Sequence, residues 1–170
     1  MASSYAIYTE VCRASSSSTR TNMLYRRFAM SASNDGNDPK GKSAETAINI
    51  APPRVLLVDD SPSDCVTTSI NLGRHDVLVS AVEGPRQALE ILNSEDVVNL
   101  VLTVDCMPHM NGYDLLMEMK KSPKLNHLPV VITSEDIIPD RVKKCMDGGA
   151  KDYIQKPINS SNIASILSYI

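Results

Sequence analysis

The chain has 170 residues, which suits one domain and leaves little room for a second. Hydrophobic residues at 42%, charged residues at 22% and a net charge of −3 are those of a soluble globular protein and argue against a general electrostatic grip on nucleic acid. No run approaches the ~20 apolar residues of a membrane span, and with no Trp and one Phe the core must be aliphatic.

The composition divides the chain near Pro52-Pro53. Residues 1–53 carry a serine run, Ser15-Ser16-Ser17-Ser18, and a polar stretch from Ser33 to Lys42, with no apolar period. Such a segment cannot bury enough surface to offset the entropy of ordering it, so a disordered extension is expected. Within residues 1–32 the single acid Glu10 stands against Arg13, Arg20, Arg26 and Arg27. A Ser-rich, Arg-bearing, acid-poor leader is also the composition of an organelle transit peptide, which sets an organelle against the nucleus or cytoplasm as the alternative destination. The four cysteines, Cys12, Cys65, Cys106 and Cys145, show no zinc-ligand spacing and read as reduced thiols.

From Arg54 the pattern alternates. Val55-Leu56-Leu57-Val58 is a short apolar run suited to a strand buried on both faces. Ser61 as N-cap and Pro62 as first helical residue open a helix to about Arg74. Val77 to Ala81 is the second strand, and Gly84-Pro85 opens a helix with Ala88, Leu89 and Leu92 on one side. Leu100 to Val104 is the third strand, followed by a loop with Pro108 and a helix opened by Gly112. Pro129 to Thr133 is the fourth strand, and Pro139 begins a helix that Gly148-Gly149 ends. Asp152 to Gln155 is a short fifth strand, and Ser160 or Ser161 caps the last helix. Five strand–helix units in strict alternation predict an α/β fold with a parallel sheet covered on both faces.

In such sheets the chemistry lies beyond the carboxyl ends of the strands. Asp59-Asp60 follows the first strand, where two adjacent carboxylates suit a hard cation such as Mg²⁺ or equally a solvated acidic turn. Ser134 follows the fourth strand, as a site hydroxyl or a helix cap. Lys156-Pro157 follows the fifth, and a cis bond there would direct the lysine.

Together these features resemble the receiver domain of two-component response regulators, in detail the plant type-A regulators of cytokinin signalling. The resemblance covers residues 54–170 and rests on Val55-Leu56-Leu57-Val58-Asp59-Asp60-Ser61, Cys106-Met107-Pro108, Met110-Asn111-Gly112-Tyr113-Asp114-Leu115-Leu116, Pro129-Val130-Val131-Ile132, and the segment from Gly149 to Pro157. It implies a doubly wound, five-stranded flavodoxin-like fold. It implies an aspartate at the end of strand three that accepts a phosphoryl group from a histidine-containing phosphotransfer protein. Mg²⁺ would be held by Asp59, Asp60, that aspartate and the backbone carbonyl of Cys106. Lys156 would neutralise the phosphoryl oxygens, and Ser134 and Tyr153 would be the hydroxyl and aromatic that respond to phosphate.

The acceptor position departs from the pattern. Counting back from Met107-Pro108 puts it at Val104, and the aspartate stands one residue late at Asp105. A one-residue slip sends a strand side chain to the opposite face. Either Asp105 points elsewhere and the domain is a pseudo-receiver with weak or absent Mg²⁺ binding, or the loop closes by one residue and Asp105 becomes a displaced acceptor. With His109 standing where relatives carry Gly, the loop has a second change beside the site. The expected role is a monomeric response regulator in a His-to-Asp phosphorelay, dampening cytokinin output through protein partners, with no DNA-reading domain. The alternative is a docking or decoy module for phosphotransfer proteins. A phosphatase on the same fold is disfavoured, because Asp59-Asp60-Ser61 lacks a second acid two residues on.

Overall fold

Short runs of β-branched and leucine residues set the architecture, because the three central strands are covered on both sides and leave no face for polar groups, while the edge strands are only partly buried. The computed structural model describes residues 51–170 except Glu95. The readings of an extension and a transit peptide fall, up to residue 50, outside the described residues.

The elements run β1 (Arg54–Val58), α1 (Pro62–Gly73), β2 (Leu78–Val82), α2 (Pro85–Asn93), β3 (Leu100–Val104), α3 (Gly112–Lys121), β4 (Val130–Ser134), α4 (Pro139–Asp147), β5 (Asp152–Gln155) and α5 (Ser160–Leu167). All strand pairs are parallel, in the order β2-β1-β3-β4-β5. The order reverses at β1, so the crevice of the fold opens between the carboxyl ends of β1 and β3.

Side chains alternate across the sheet and divide the core in two. Leu56 and Val58 of β1, Val101 of β3 and Val130 and Ile132 of β4 pack with α2, α3 and Cys145 of α4. Val55, Leu57, Leu100, Leu102, Val131 and Ile154 pack with Leu72 of α1 and Ile163 and Ile166 of α5. No helix among the described residues is long and apolar enough to cross a membrane.

Several boundaries shift from the sequence reading. β2 runs one residue later than Val77–Ala81. β4 includes Ser134, so that hydroxyl lies on the strand rather than beyond it. The cap of α5 is Asn159, whose carbonyl oxygen accepts from the Ser161 and Asn162 amides while Asn162 bonds back to the Asn159 amide; Ser160 is already helical. Asn159 is the last extended residue, with φ −99° and ψ 177°, so its side chain and not that of either helical serine stands at the cap. Ser61 caps α1 and Pro62 starts it, as the sequence indicates.

Candidate functional site

The parity of the strands fixes which face each strand-end residue serves. Asp59 continues the Val55, Leu57 series of β1, and Lys156 continues Ile154 of β5, so both belong to the α1/α5 face. Val104 continues Leu100 and Leu102 to the same face. Asp105 follows Val101 to the α2–α4 face, with Ser134 following Val130 and Ile132, and Tyr153 packed against that core. The six candidate positions thus fall into two sets of three on opposite sides of the sheet.

On the α1/α5 face Lys156 is the centre. Its side chain is 8% exposed, and its Nζ donates to Asp59 Oδ2 at 2.7 Å and to Asp64 Oδ2 at 2.6 Å. Burial lowers the ammonium pKa, but the hydrogen bonds and charges of Asp59 and Asp64 more than offset it, so Lys156 titrates above its ordinary value. Asp59, 2% exposed, also accepts from the Ser61 amide through Oδ1 at 2.9 Å. The ion pair therefore joins Asp59 to Asp64, a residue of the first turn of α1. Asp64 precedes Lys156 by 92 positions, and nothing local to either marks them as partners. Asp60 is exposed and enters no ion pair among the described residues. The Lys156-Pro157 bond is cis. Val104 is 7% exposed and closes the end of β3 with an isopropyl group.

On the other face Asp105 is 6% exposed, and its Oδ2 accepts from the Tyr153 hydroxyl at 3.0 Å, with Arg141 Nη1 of α4 at 3.5 Å. Arg141 Nη1 also approaches Cys106 Sγ at 3.2 Å. Burial pushes the Tyr153 phenol up to about 12; Ser134 works against that shift and the Asp105 carboxylate adds to it. The Ser134 hydroxyl is buried and accepts from the Asp136 amide at 3.4 Å, so it caps the turn after β4. His109 is exposed at φ 71°, a left-handed conformation that glycine adopts more readily than histidine.

A resident Mg²⁺ needs hard oxygen donors with lone pairs to offer. Here both oxygens of Asp59 already accept from protein donors, Val104 offers no oxygen at the end of β3, and Asp105 bonds on the opposite face. No cluster of three metal-ligating side chains occurs among the described residues, and none of their buried side-chain polar atoms lacks a hydrogen-bond partner. The residues present do not fit a tightly held ion.

Comparison with known proteins agrees with the architecture. Residues 55–168 match the family model described as the response regulator receiver domain. Over 118 residues the chain is 58% identical to the two-component response regulator ORR12 of Oryza sativa subsp. japonica and 56% identical to ORR13 of the same rice. Each alignment covers 69% of this chain and 98% of the relative. Among solved structures, a response regulator receiver protein from Pseudomonas putida superposes with a TM-score of 0.65 at 22% identity, covering 71% of this chain and 98% of that one. The chemotaxis protein CheY4 of Vibrio cholerae gives 0.63 at 22%, covering 69% and 98%. With its strand order, its strand-end carboxylates and lysine, and more than half its sequence shared with plant regulators over this domain, the chain belongs to the response regulator receiver family.

Proposed function

We propose that the protein works in a His-to-Asp phosphorelay as a pseudo-receiver: it docks histidine-containing phosphotransfer proteins and does not accept their phosphoryl group. The observation that carries this reading is the commitment of Asp105 to Tyr153 and Arg141, across the sheet from Lys156. In transfer, the phosphorus–nitrogen bond of phosphohistidine breaks as an oxygen nucleophile forms the new bond in line with it. Positioning to a fraction of an ångström governs such a step. The isopropyl group of Val104 offers no nucleophile, and the ammonium that would meet phosphoryl oxygens is already neutralised by Asp59 and Asp64. The similarity to rice two-component response regulators supports a place in that pathway.

On this reading the chain is a monomeric signalling module rather than an enzyme. It dampens cytokinin output in the nucleus or cytoplasm by occupying phosphotransfer proteins, and its effect on transcription is indirect, without contact to DNA. Any Mg²⁺ is held weakly, by Asp59, Asp60 and the Cys106 carbonyl.

Phosphoryl transfer from a labelled phosphotransfer protein tests the reading. The wild-type chain binds the donor and takes up little or no label. Val104→Asp combined with Asp105→Tyr restores the family pattern and gains an acyl phosphate labile to acid and alkali; adding Lys156→Ala abolishes that gain. Efficient labelling of wild type that Asp105→Asn removes would sink the proposal and make Asp105 the acceptor.

A further inference from the structure

We infer that Asp105 is a latch: its carboxylate fastens Tyr153 of β5 and Arg141 of α4 to the end of β3 and holds the α4 face in one arrangement with no phosphoryl group involved.

The anchor of the latch is rigid. The Asp105 amide donates to the Thr133 carbonyl at 2.7 Å, and its own carbonyl accepts from the Gly112 amide at 2.9 Å. Gly112 lies so close that a Cβ there would come within 2.5 Å of the Val104 carbonyl oxygen. The peptide carrying Asp105 is therefore fixed between β4 and the start of α3, and the carboxylate cannot turn to the Lys156 face without breaking both bonds. What it holds is drawn from two separate elements. The Tyr153 hydroxyl comes from β5, 48 positions away, with its ring packed against the core. Arg141 comes from the first turn of α4 and is otherwise half exposed. Three features make α4 an element that needs holding. Only Cys145 of its nine residues is buried, its N-cap Ile138 supplies no side-chain bond, and Ile137 and Ile138 ahead of it are exposed. A cavity of about 150 Å³ lined by Asp105, Asn111, Tyr113, Lys144 and Cys145 adjoins Arg141 and gives that side chain somewhere to swing once released.

Because Asp105 Oδ2 serves a neutral hydroxyl and a cation together, its removal frees the Tyr153 hydroxyl and leaves Arg141 only its contact with the Cys106 sulfur at 3.2 Å. A bond to a charged acceptor is among the stronger hydrogen bonds, so local opening of α4 becomes about tenfold more frequent. The inference rests on the reading of Asp105 as unphosphorylated, since a phosphoryl group on Oδ2 would displace both donors.

Hydrogen exchange on the full chain tests it, read over residues 137–147 and, for reference, over β1 and β3. In Asp105→Ala and in Tyr153→Phe the α4 amides exchange faster, about tenfold in the former, while the strands change little. The double variant is no faster than Asp105→Ala alone, because both cut the same latch. Asp105→Asn, which still accepts from the hydroxyl but has no charge for Arg141, gives a smaller rise and decides the matter if Asp105→Ala does not fold. Unchanged α4 exchange, an equal rise through the strands, or a double variant equal to the product of the singles overturns the latch. Labelling of wild type by a phosphodonor would overturn the pseudo-receiver reading instead, and exchange in the unlabelled chain would still judge the latch.

Discussion

Replacing Val104 by aspartate puts a carboxylate where strand parity aims it at the face of Asp59 and Lys156. The position is 7% exposed, and Lys156 already serves two carboxylates there. The new group meets desolvation and like charge together, both of which raise a carboxyl pKa. A rise from about 3.9 to about 6 costs about 3 kcal/mol at pH 7, since each unit is about 1.4 kcal/mol. Mg²⁺ reverses the sign of the problem, because a third carboxylate completes a set of oxygen donors. At one hundred times its Kd the ion restores about 2.7 kcal/mol, nearly the whole loss. The assay is urea unfolding of both forms with Mg²⁺ and with chelator. Val104→Asp should be destabilised with chelator and recover with Mg²⁺, while wild type gains well under 1 kcal/mol, the response of a site whose Asp59 oxygens are already bonded. If wild type gains as much as the variant, the existing donors hold the ion and the account of the donor set is wrong.

Other perturbations bear on separate parts of the domain. Lys156→Ala leaves Asp59 buried with only the Ser61 amide, and should cost about 3 kcal/mol; a loss that vanishes in high salt would mean the pair is solvated rather than buried. His109→Gly relieves a left-handed non-glycine residue at an exposed position and should stabilise by about 0.5–1 kcal/mol after the entropy of glycine is counted; destabilisation would show that the imidazole holds the loop. Alkaline titration should weaken the fold between pH 9 and 12. Burial raises the thiols of Cys65 and Cys145 from 9.0 to about 11, and the Tyr153 phenol from 10.0 to about 12. The unfolded chain therefore loses these protons first, unfolding releases protons, and rising pH favours it. Lys156, also raised, has the same sign, while Lys120, lowered by burial and by Lys151, opposes it. A flat unfolding midpoint from pH 9 to 11 would contradict the burial of the thiols, and Cys145→Ala should reduce the slope.

The alternation of apolar runs with capped, amphipathic segments was enough to order five strands and five helices, because the central strands are too short and too apolar to have an exposed face. Strand parity was legible too: the count from Leu100 to Asp105 already separates that carboxylate from Val104 and assigns it to the other side of the sheet. The partners were not legible. Lys156 lies 97 positions from Asp59 and 92 from Asp64, and Tyr153 lies 48 from Asp105, so each contact depends on the parallel order bringing distant strand ends to one edge. Of the adjacent acids Asp59 and Asp60, only Asp59 pairs with Lys156. Asp59 continues the inward series of β1 while Asp60, next along the chain, is exposed, so the second carboxylate has to come from the nearest turn of α1, where Asp64 stands. The same alternation that takes Asp105 away from Lys156 delivers it to Tyr153 and Arg141. The offset of one residue between Val104 and Asp105 thus leaves an isopropyl group on one face and places an anion on the other, and the two consequences are inseparable because adjacent backbone positions produce both.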